Sequence, residues 1–261
     1  MKNIFFFFIA ITIALSSNAQ NEPKPLSKKQ ERRQNLNKII KQEEEGVITH
    51  LKHFAGGIKI TTEGYGGFLE VGRAKTVKKS MLFQFEILEI KHAKELKQQV
   101  SFSSSQPIIF GKVNYFYPVK LGVQQQIVLG NKGNKNGVSV TGNFGGGISL
   151  GLLRPYLINV LDNGTEKYIG YSDDSTAFLN TAGYISGPGF GKGWNKLKVT
   201  PGIYIKPAIR FDYGKYNEMI NAIEVGASFE YYTKKIPQMV FSKQEQMFFS
   251  AYVSLIFGKR K

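Results

Sequence analysis

The chain has 261 residues, a formal net charge of +16 and no cysteine. The missing cysteines exclude disulfide staples, thiolate metal sites, a cysteine nucleophile and a lipid-modified N-terminal cysteine. The basic balance bears on association and solubility rather than on fold.

The first nineteen residues, MKNIFFFFIAITIALSSNA, have the layout of a secretory signal. Lys2 supplies the positive start, Ile4 to Leu15 the apolar core, and Ser17 and Ala19 the small residues before a cleavage point after Ala19. The apolar core is shorter than the ~20 residues a spanning helix needs, and no other run reaches that length. For an exported chain, the basic balance points to anionic lipid headgroups and lipopolysaccharide phosphates as counter-charges, not to nucleic acid.

Residues 20–53 form a basic leader. Seven Lys or Arg lie between Lys24 and Lys41, followed by an acidic run at Glu43, Glu44 and Glu45. Leu36, Ile40, Val47, Leu51 and Phe54 make a thin stripe at near-helical spacing, which predicts a short amphipathic helix or an extended tail ahead of a β domain spanning 54–261.

From Gly57 onward the period changes to two. GIKITTEGYGGFLEVG (57–72) sets Ile58 and Ile60 against Lys59 and Thr61, and Gly64, Gly66 and Gly67 then suggest a bulge or twist. SMLFQFEILEI (80–90) opposes Phe83, Phe85 and Ile87 to Gln84 and Glu86. KVNYFYPVKLGVQ (112–124) places Tyr115, Tyr117, Val119, Leu121 and Val123 on one face and Lys112, Asn114, Lys120 and Gln124 on the other. GVSVTGNFGGGISLGLL (137–153) does the same with Phe144, Ile148 and Leu150 opposite Asn143 and Ser149. In 197–214, Ile203, Ile205, Ile209 and Phe211 oppose Lys206, Arg210 and Asp212, with Pro201 and Pro207 weakening the pattern locally. Residues 221–232 and the closing QMFFSAYVSLIFGKRK repeat the alternation. These are seven strands. An even count requires one more, expected from RPYLINVL (154–161) or TAGYISG (181–187).

Alternation does not say which face is inside. Strand lengths of 9–11 residues or more suit a membrane. The polar faces mix charges with small residues, as in Lys206-Ala208-Arg210-Asp212 and Glu224-Gly226-Ser228-Glu230, which suits a narrow lumen where opposite charges pair. Aromatics near strand ends (Tyr115, Tyr117, Tyr213, Tyr231, Tyr232, Phe257) suit interfacial girdles. The expected fold is an all-β, antiparallel, up-and-down transmembrane β-barrel of eight strands, or ten, with Gly145, Gly147 and Gly151 facing inward and a filled lumen. A secreted soluble binding barrel is the competing architecture.

A signal ending in NAQ, long alternating strands, KKIPQM (234–239) and an aromatic-rich last strand ending FGKRK resemble the small outer-membrane β-barrel proteins of Bacteroidota. The resemblance covers most of residues 50–261. It implies the outer membrane as location, and outer-membrane lipid, lipopolysaccharide and the assembly machinery as partners, with an envelope protein as a further one. The implied role is structural or interactive. It carries no catalytic residue, cofactor or metal ligand.

Chemistry-bearing motifs are few. GISLG (147–151) matches a nucleophile elbow in letters alone: alternation runs straight through Ser149, and His50, His53 and His92 all precede it. GPGFGKG (187–193) lacks the spacing of a phosphate loop and is expected as a surface loop. His50 and His53 are expected to be solvated. The enzymatic alternative is a lipid-modifying barrel using His92 near Glu89 and Glu95, with no serine identified.

Overall fold

The computed structural model describes residues 27–44, 51–99, 106–132, 137–162, 164–215 and 218–261. The expected signal peptide, its cleavage point, Val47 and His50 lie outside these residues.

Helix α1 (Lys28–Glu44) forms in the leader, but of the expected apolar stripe Leu51 lies outside it and Phe54 on the first strand. The start of the helix is a reciprocal capping box. The Gln30 amide donates to Ser27 Oγ (3.4 Å), and the Ser27 amide donates to Gln30 Oε1 (3.1 Å). It belongs to a compact unit distinct from Gly46–Lys261.

The second unit runs β1 (Lys52–Thr61), β2 (Gly64–Thr76), β3 (Lys79–Ile90), β4 (Lys97–Gln98), β5 (Ile108–Ile109), β6 (Asn114–Gly130), β7 (Ser139–Pro155), β8 (Leu157–Asp162), β9 (Thr165–Gly170), α2 (Ser175–Leu179), β10 (Tyr184–Ser186), β11 (Lys198–Asp212), β12 (Met219–Ile236) and β13 (Glu245–Arg260). Eight of these strands close a barrel in the order β1-β13-β12-β11-β7-β6-β3-β2. Each pairs antiparallel with its neighbours in that order. The expected up-and-down eight-stranded transmembrane barrel is therefore present.

The eighth strand comes from a different place than expected. Residues 57–72 are not one bulged strand but parts of β1 and β2, folded back at Thr62 and Glu63 and paired without a break from Lys52↔Arg73 to Thr61↔Gly64. The glycines that suggested a bulge permit close backbone approach instead. A Cβ on Gly64 would collide with the Glu89 carbonyl, and one on Gly66 with that of Ile87, both on β3. RPYLINVL and TAGYISG do form strands, but β8 and β10 join β9 in a separate three-stranded sheet. Too short to span a bilayer, they are free of the barrel's alternation.

The strand faces are inverted relative to a water-soluble barrel. Ile203 (62 % exposed), Phe144 (63 %) and Phe249 (58 %) point outward, while Lys59, Lys120 and Lys206 are each 1 % exposed inside. Such a continuous apolar wall has lipid, not water, as its matching solvent. Tyr213, Tyr231 and Phe257 lie on this wall near strand ends, as expected of a girdle. Tyr232 does not. It shares the inward parity of Glu230 and is fully buried in the lumen.

The two ends differ. One, the turn end, carries the start of β1, the end of β13 and the connections 77–78, 131–138 and 213–218. The other, the loop end, carries 62–63, 91–113, 156–197 and 237–244.

Candidate functional site

Two features are candidates for function: the lumen, and the folded segments over the loop end. The lumen is filled by a charge network built from inward positions of six strands. Arg210 on β11 makes a two-pronged contact with Glu70 on β2 (2.6 and 2.8 Å) and a second with Glu224 on β12 (2.7 and 2.9 Å). Glu224 also accepts from Tyr252 (2.9 Å) and Asn143 (2.7 Å). Towards the loop end, Glu86 gathers Lys59, Lys120 (3.5 Å) and Lys206 (3.5 Å). Lys120 continues to Glu230 (2.5 Å), which accepts from Tyr232 (2.7 Å).

Four cations thus face four carboxylates: Lys59, Lys120, Lys206 and Arg210 against Glu70, Glu86, Glu224 and Glu230. The expected mutual neutralisation of Lys206, Arg210, Glu224 and Glu230 is observed only for Arg210 and Glu224. Lys206 bonds Gln84 and Glu86, and Glu230 bonds Lys120. Glu70 lies in the stretch of the sequence whose alternation the glycines obscure. Buried charges are tolerated only when paired, since each unpaired one costs several kcal/mol.

Inward glycines make room for this network. A Cβ on Gly122 would strike the Tyr204 hydroxyl, and one on Gly151 would press on Phe116 (2.8 Å) and Tyr232 (3.0 Å). Ser149 lies in the same layer, fully buried, its Oγ 2.8 Å from the Tyr232 hydroxyl. It is a lumen residue on a straight strand, not a nucleophile on an elbow. His53, expected to be solvated, also points inward, with Nε2 3.6 Å from Glu70. An apolar cluster of Ile90, Phe116, Leu153, Tyr232, Ile236 and Phe248 closes the lumen at the loop end. Ala55, Phe68, Ile220, Ala222 and Ile256 form a second towards the turn end.

Above the loop end sits a cap with an ordinary apolar core. The sheet β10-β8-β9, helix α2 and the ribbon β4-β5 enclose Ile108, Tyr156, Ile158, Val160, Ile169 and Phe178. Asp174 caps α2 by accepting from the amides of Thr176 (3.0 Å) and Ala177 (2.9 Å). Tyr156 ties the ribbon to the sheet by accepting from the Ile109 amide (2.8 Å). The bridge Lys112↔Met239 joins the 237–244 connection to the same layer. Lys112 is buried against Glu95 (2.5 Å) and over the Tyr115 ring (4.2 Å). Burial pushes its ammonium below the ordinary lysine value, against the pull of Glu95.

Both acids that the enzymatic alternative needs near His92 already have partners, Glu89 accepting from the Tyr65 hydroxyl (3.1 Å) and Glu95 from Lys112. Glu95 is engaged by Lys112 and by the His92 amide (3.1 Å), and His92 Nδ1 accepts from the Lys94 amide (3.1 Å). His92 thereby organises a turn.

The GPGFGKG segment has a structural task that no motif predicts. Arg154 follows the outward parity of β7, yet is 2 % exposed. Its guanidinium lies 4.1 Å from the Tyr115 ring centroid, 5.0 Å from Trp194 and 5.4 Å from Phe190. It donates to the carbonyls of Phe190 (2.5 Å) and Lys192 (3.4 Å). Loop 187–194 thus folds down the outer wall and hides a charge that would otherwise face lipid. Gly193 permits this with φ 90°, in the left-handed region, where a Cβ would also sit 2.7 Å from the Pro155 carbonyl. The sequence hint was the Arg of RPY and a Trp forty residues on, which only the fold brings together.

No family model matches the chain, and no curated protein does. Among solved structures, the chain is similar to Ail, the attachment invasion locus protein of Yersinia pestis, in complex with the heparin analogue sucrose octasulfate. The identity is 11 %, covering 82 % of this chain and 100 % of that one, with a TM-score of 0.37. It is similar also to the N-terminal β-barrel domain of Pseudomonas aeruginosa OprF, at 9 % identity, 82 % and 98 % coverage and a TM-score of 0.35. Neisserial surface protein A follows at 10 %, 80 % and 93 %, and 0.33. Nothing about activity follows from similarity this low.

Proposed function

We propose that the chain is an exported outer-membrane β-barrel with a structural or interaction role, not a pore and not an enzyme. The observation that carries this reading is the lumen, filled by paired charges and closed at the loop end by packed aromatics. Barrels of eight strands have interiors just wide enough for side chains to fill, and here Lys59, Lys120, Lys206 and Arg210 are each paired with a lumen carboxylate.

The loop end faces outward in this reading and the leader enters the periplasm, because such barrels keep short periplasmic turns and longer external loops. Interaction then falls to the cap, whose packed core holds a fixed surface for an envelope partner or lipopolysaccharide. The signal at residues 1–19, cleavage after Ala19, recognition of β13 by the assembly machinery and kinship with the Bacteroidota barrels belong to the same proposal.

Carbonate extraction of native envelopes, gel mobility before and after boiling, and protease treatment of intact cells test it together. The expected result is retention, a mobility shift, and cleavage confined to the connections 91–113 and 156–197. Release by carbonate, or cleavage confined to the turn end, would overturn the location or the orientation respectively.

A further inference from the structure

The turn end carries a charge arrangement that neither the lumen nor the cap explains. Lys52 on β1 stands directly opposite Arg73 on β2. On its other side Lys52 exchanges backbone hydrogen bonds with Lys261, at 2.9 and 2.8 Å. Three cations therefore lie abreast on neighbouring strands, roughly 5 Å apart by strand spacing. Lys259, Lys75 and Lys79 flank them on β13, β2 and β3. All six side chains are exposed on the outer wall.

Like charges set directly opposite one another destabilise a sheet. The outward positions of β13, β1, β2 and β3 at this end hold no Asp or Glu. Glu70 faces inward onto Arg210. Asp212 is held by Arg260 and Lys132, and Glu218, exposed, stands beside the end of β13, its carbonyl accepting from the Arg260 amide (2.8 Å). The strand ends on the opposite side of the same end carry Leu129, Val140, Tyr213 and Met219 at their outward positions, with the exposed Lys215 in the connection beyond them. The cations are densest on the β13-β1-β2-β3 side.

Their height matters as much as their sign. One outward step along the strands from Lys52 and Arg73 come Phe54 and Val71; from Lys261 comes Lys259, level with Phe54, and then Phe257, and these three apolar side chains are exposed parts of the apolar wall. Such a step is about 7 Å. The cations therefore stand where the lipid tails end and the phosphates begin.

We propose that the outer wall of β13-β1-β2-β3 at the turn end is a docking surface for an anionic glycerophospholipid. Its tails lie along Phe54, Val71 and Phe257, and its phosphate offsets the repulsion among Lys261, Lys52 and Arg73. This rests on the membrane-barrel reading and adds to it a lipid class, a leaflet and a side of the barrel.

The test uses the full chain in nanodiscs of phosphatidylethanolamine with a minor share of phosphatidylglycerol. Lipid that stays with the protein after transfer to mild detergent is measured by native mass spectrometry. The wild type is expected to retain phosphatidylglycerol in excess of its share. Lys52→Gln/Arg73→Gln/Lys261→Gln should lose the preference by roughly fivefold for each charge removed. Lys198→Gln/Lys235→Gln/Lys243→Gln makes the same charge change at the loop end and should keep it, as should Lys52→Arg/Lys261→Arg. No enrichment in the wild type, or equal losses in both triple variants, would overturn the site. A chain that never becomes heat-modifiable in the nanodiscs would sink the barrel reading itself, and the lipid surface with it.

Discussion

The barrel and its cap are two solutions to burial within one chain. In the cap, Phe178 and Ile158 are fully buried among other apolar side chains, and charges such as Lys196 and Asp173 lie at the surface. In the barrel the assignment reverses: Arg210 and Glu224 are buried, and Ile205 and Phe229 are exposed. The same side-chain chemistry serves both because the surrounding solvent differs. Water selects the cap's core through apolar area, while lipid leaves the barrel's wall nothing to hide and drives its polar groups inward.

That contrast fixes what each region cannot tolerate. Arg210→Met should have the largest effect. It leaves Glu70 and Glu224 buried without their cation, at about 3–5 kcal/mol, and should lower the temperature at which the unboiled gel form converts to the boiled one. Phe178→Ala removes a fully buried ring, worth about 3–5 kcal/mol in a packed core, but the loss should stay in the cap. Protease sensitivity across 156–197 should rise while heat-modifiability is unchanged. A coupled loss of both would show that the two regions fold as one. Ile205→Lys is the mirror test on the outer wall. On a water-exposed surface it would be nearly silent, whereas near mid-membrane it should cost about 2–4 kcal/mol, read as reduced refolding into lipid vesicles.

The loop-end turn between β1 and β2 shows the boundary between these regimes. Glu63 Oε2 is buried there without a hydrogen-bond partner. Burial, reinforced by Glu245 and Glu230, pushes the Glu63 carboxyl above its ordinary range.

Most of the barrel was legible in the sequence because its two environments alternate residue by residue. The period of two in 112–124, 197–214 and 221–232 placed Lys120, Lys206, Arg210, Glu224 and Glu230 on one face, and all five are in the lumen. The glycine-rich part of 57–72 was legible only as a disturbance, because glycine has no side chain with which to report a face. The cap was legible only in fragments, with RPYLINVL and TAGYISG read as strands but not as parts of a separate unit. Its strands are short, its core mixes residues from 108–109, 156–178 and 239, and no local period joins them.

The sequence by itself determined long two-faced strands of an all-β barrel, since charge and apolarity alternate residue by residue over lengths that suit a membrane. Only the tertiary structure decided the partners. Closing the sheet brings Glu70 to Arg210 across 140 positions, sets Lys261 beside Lys52, and folds 187–194 over Arg154. Each of these depends on strand register and barrel closure, and those are properties of neighbours in space rather than in sequence.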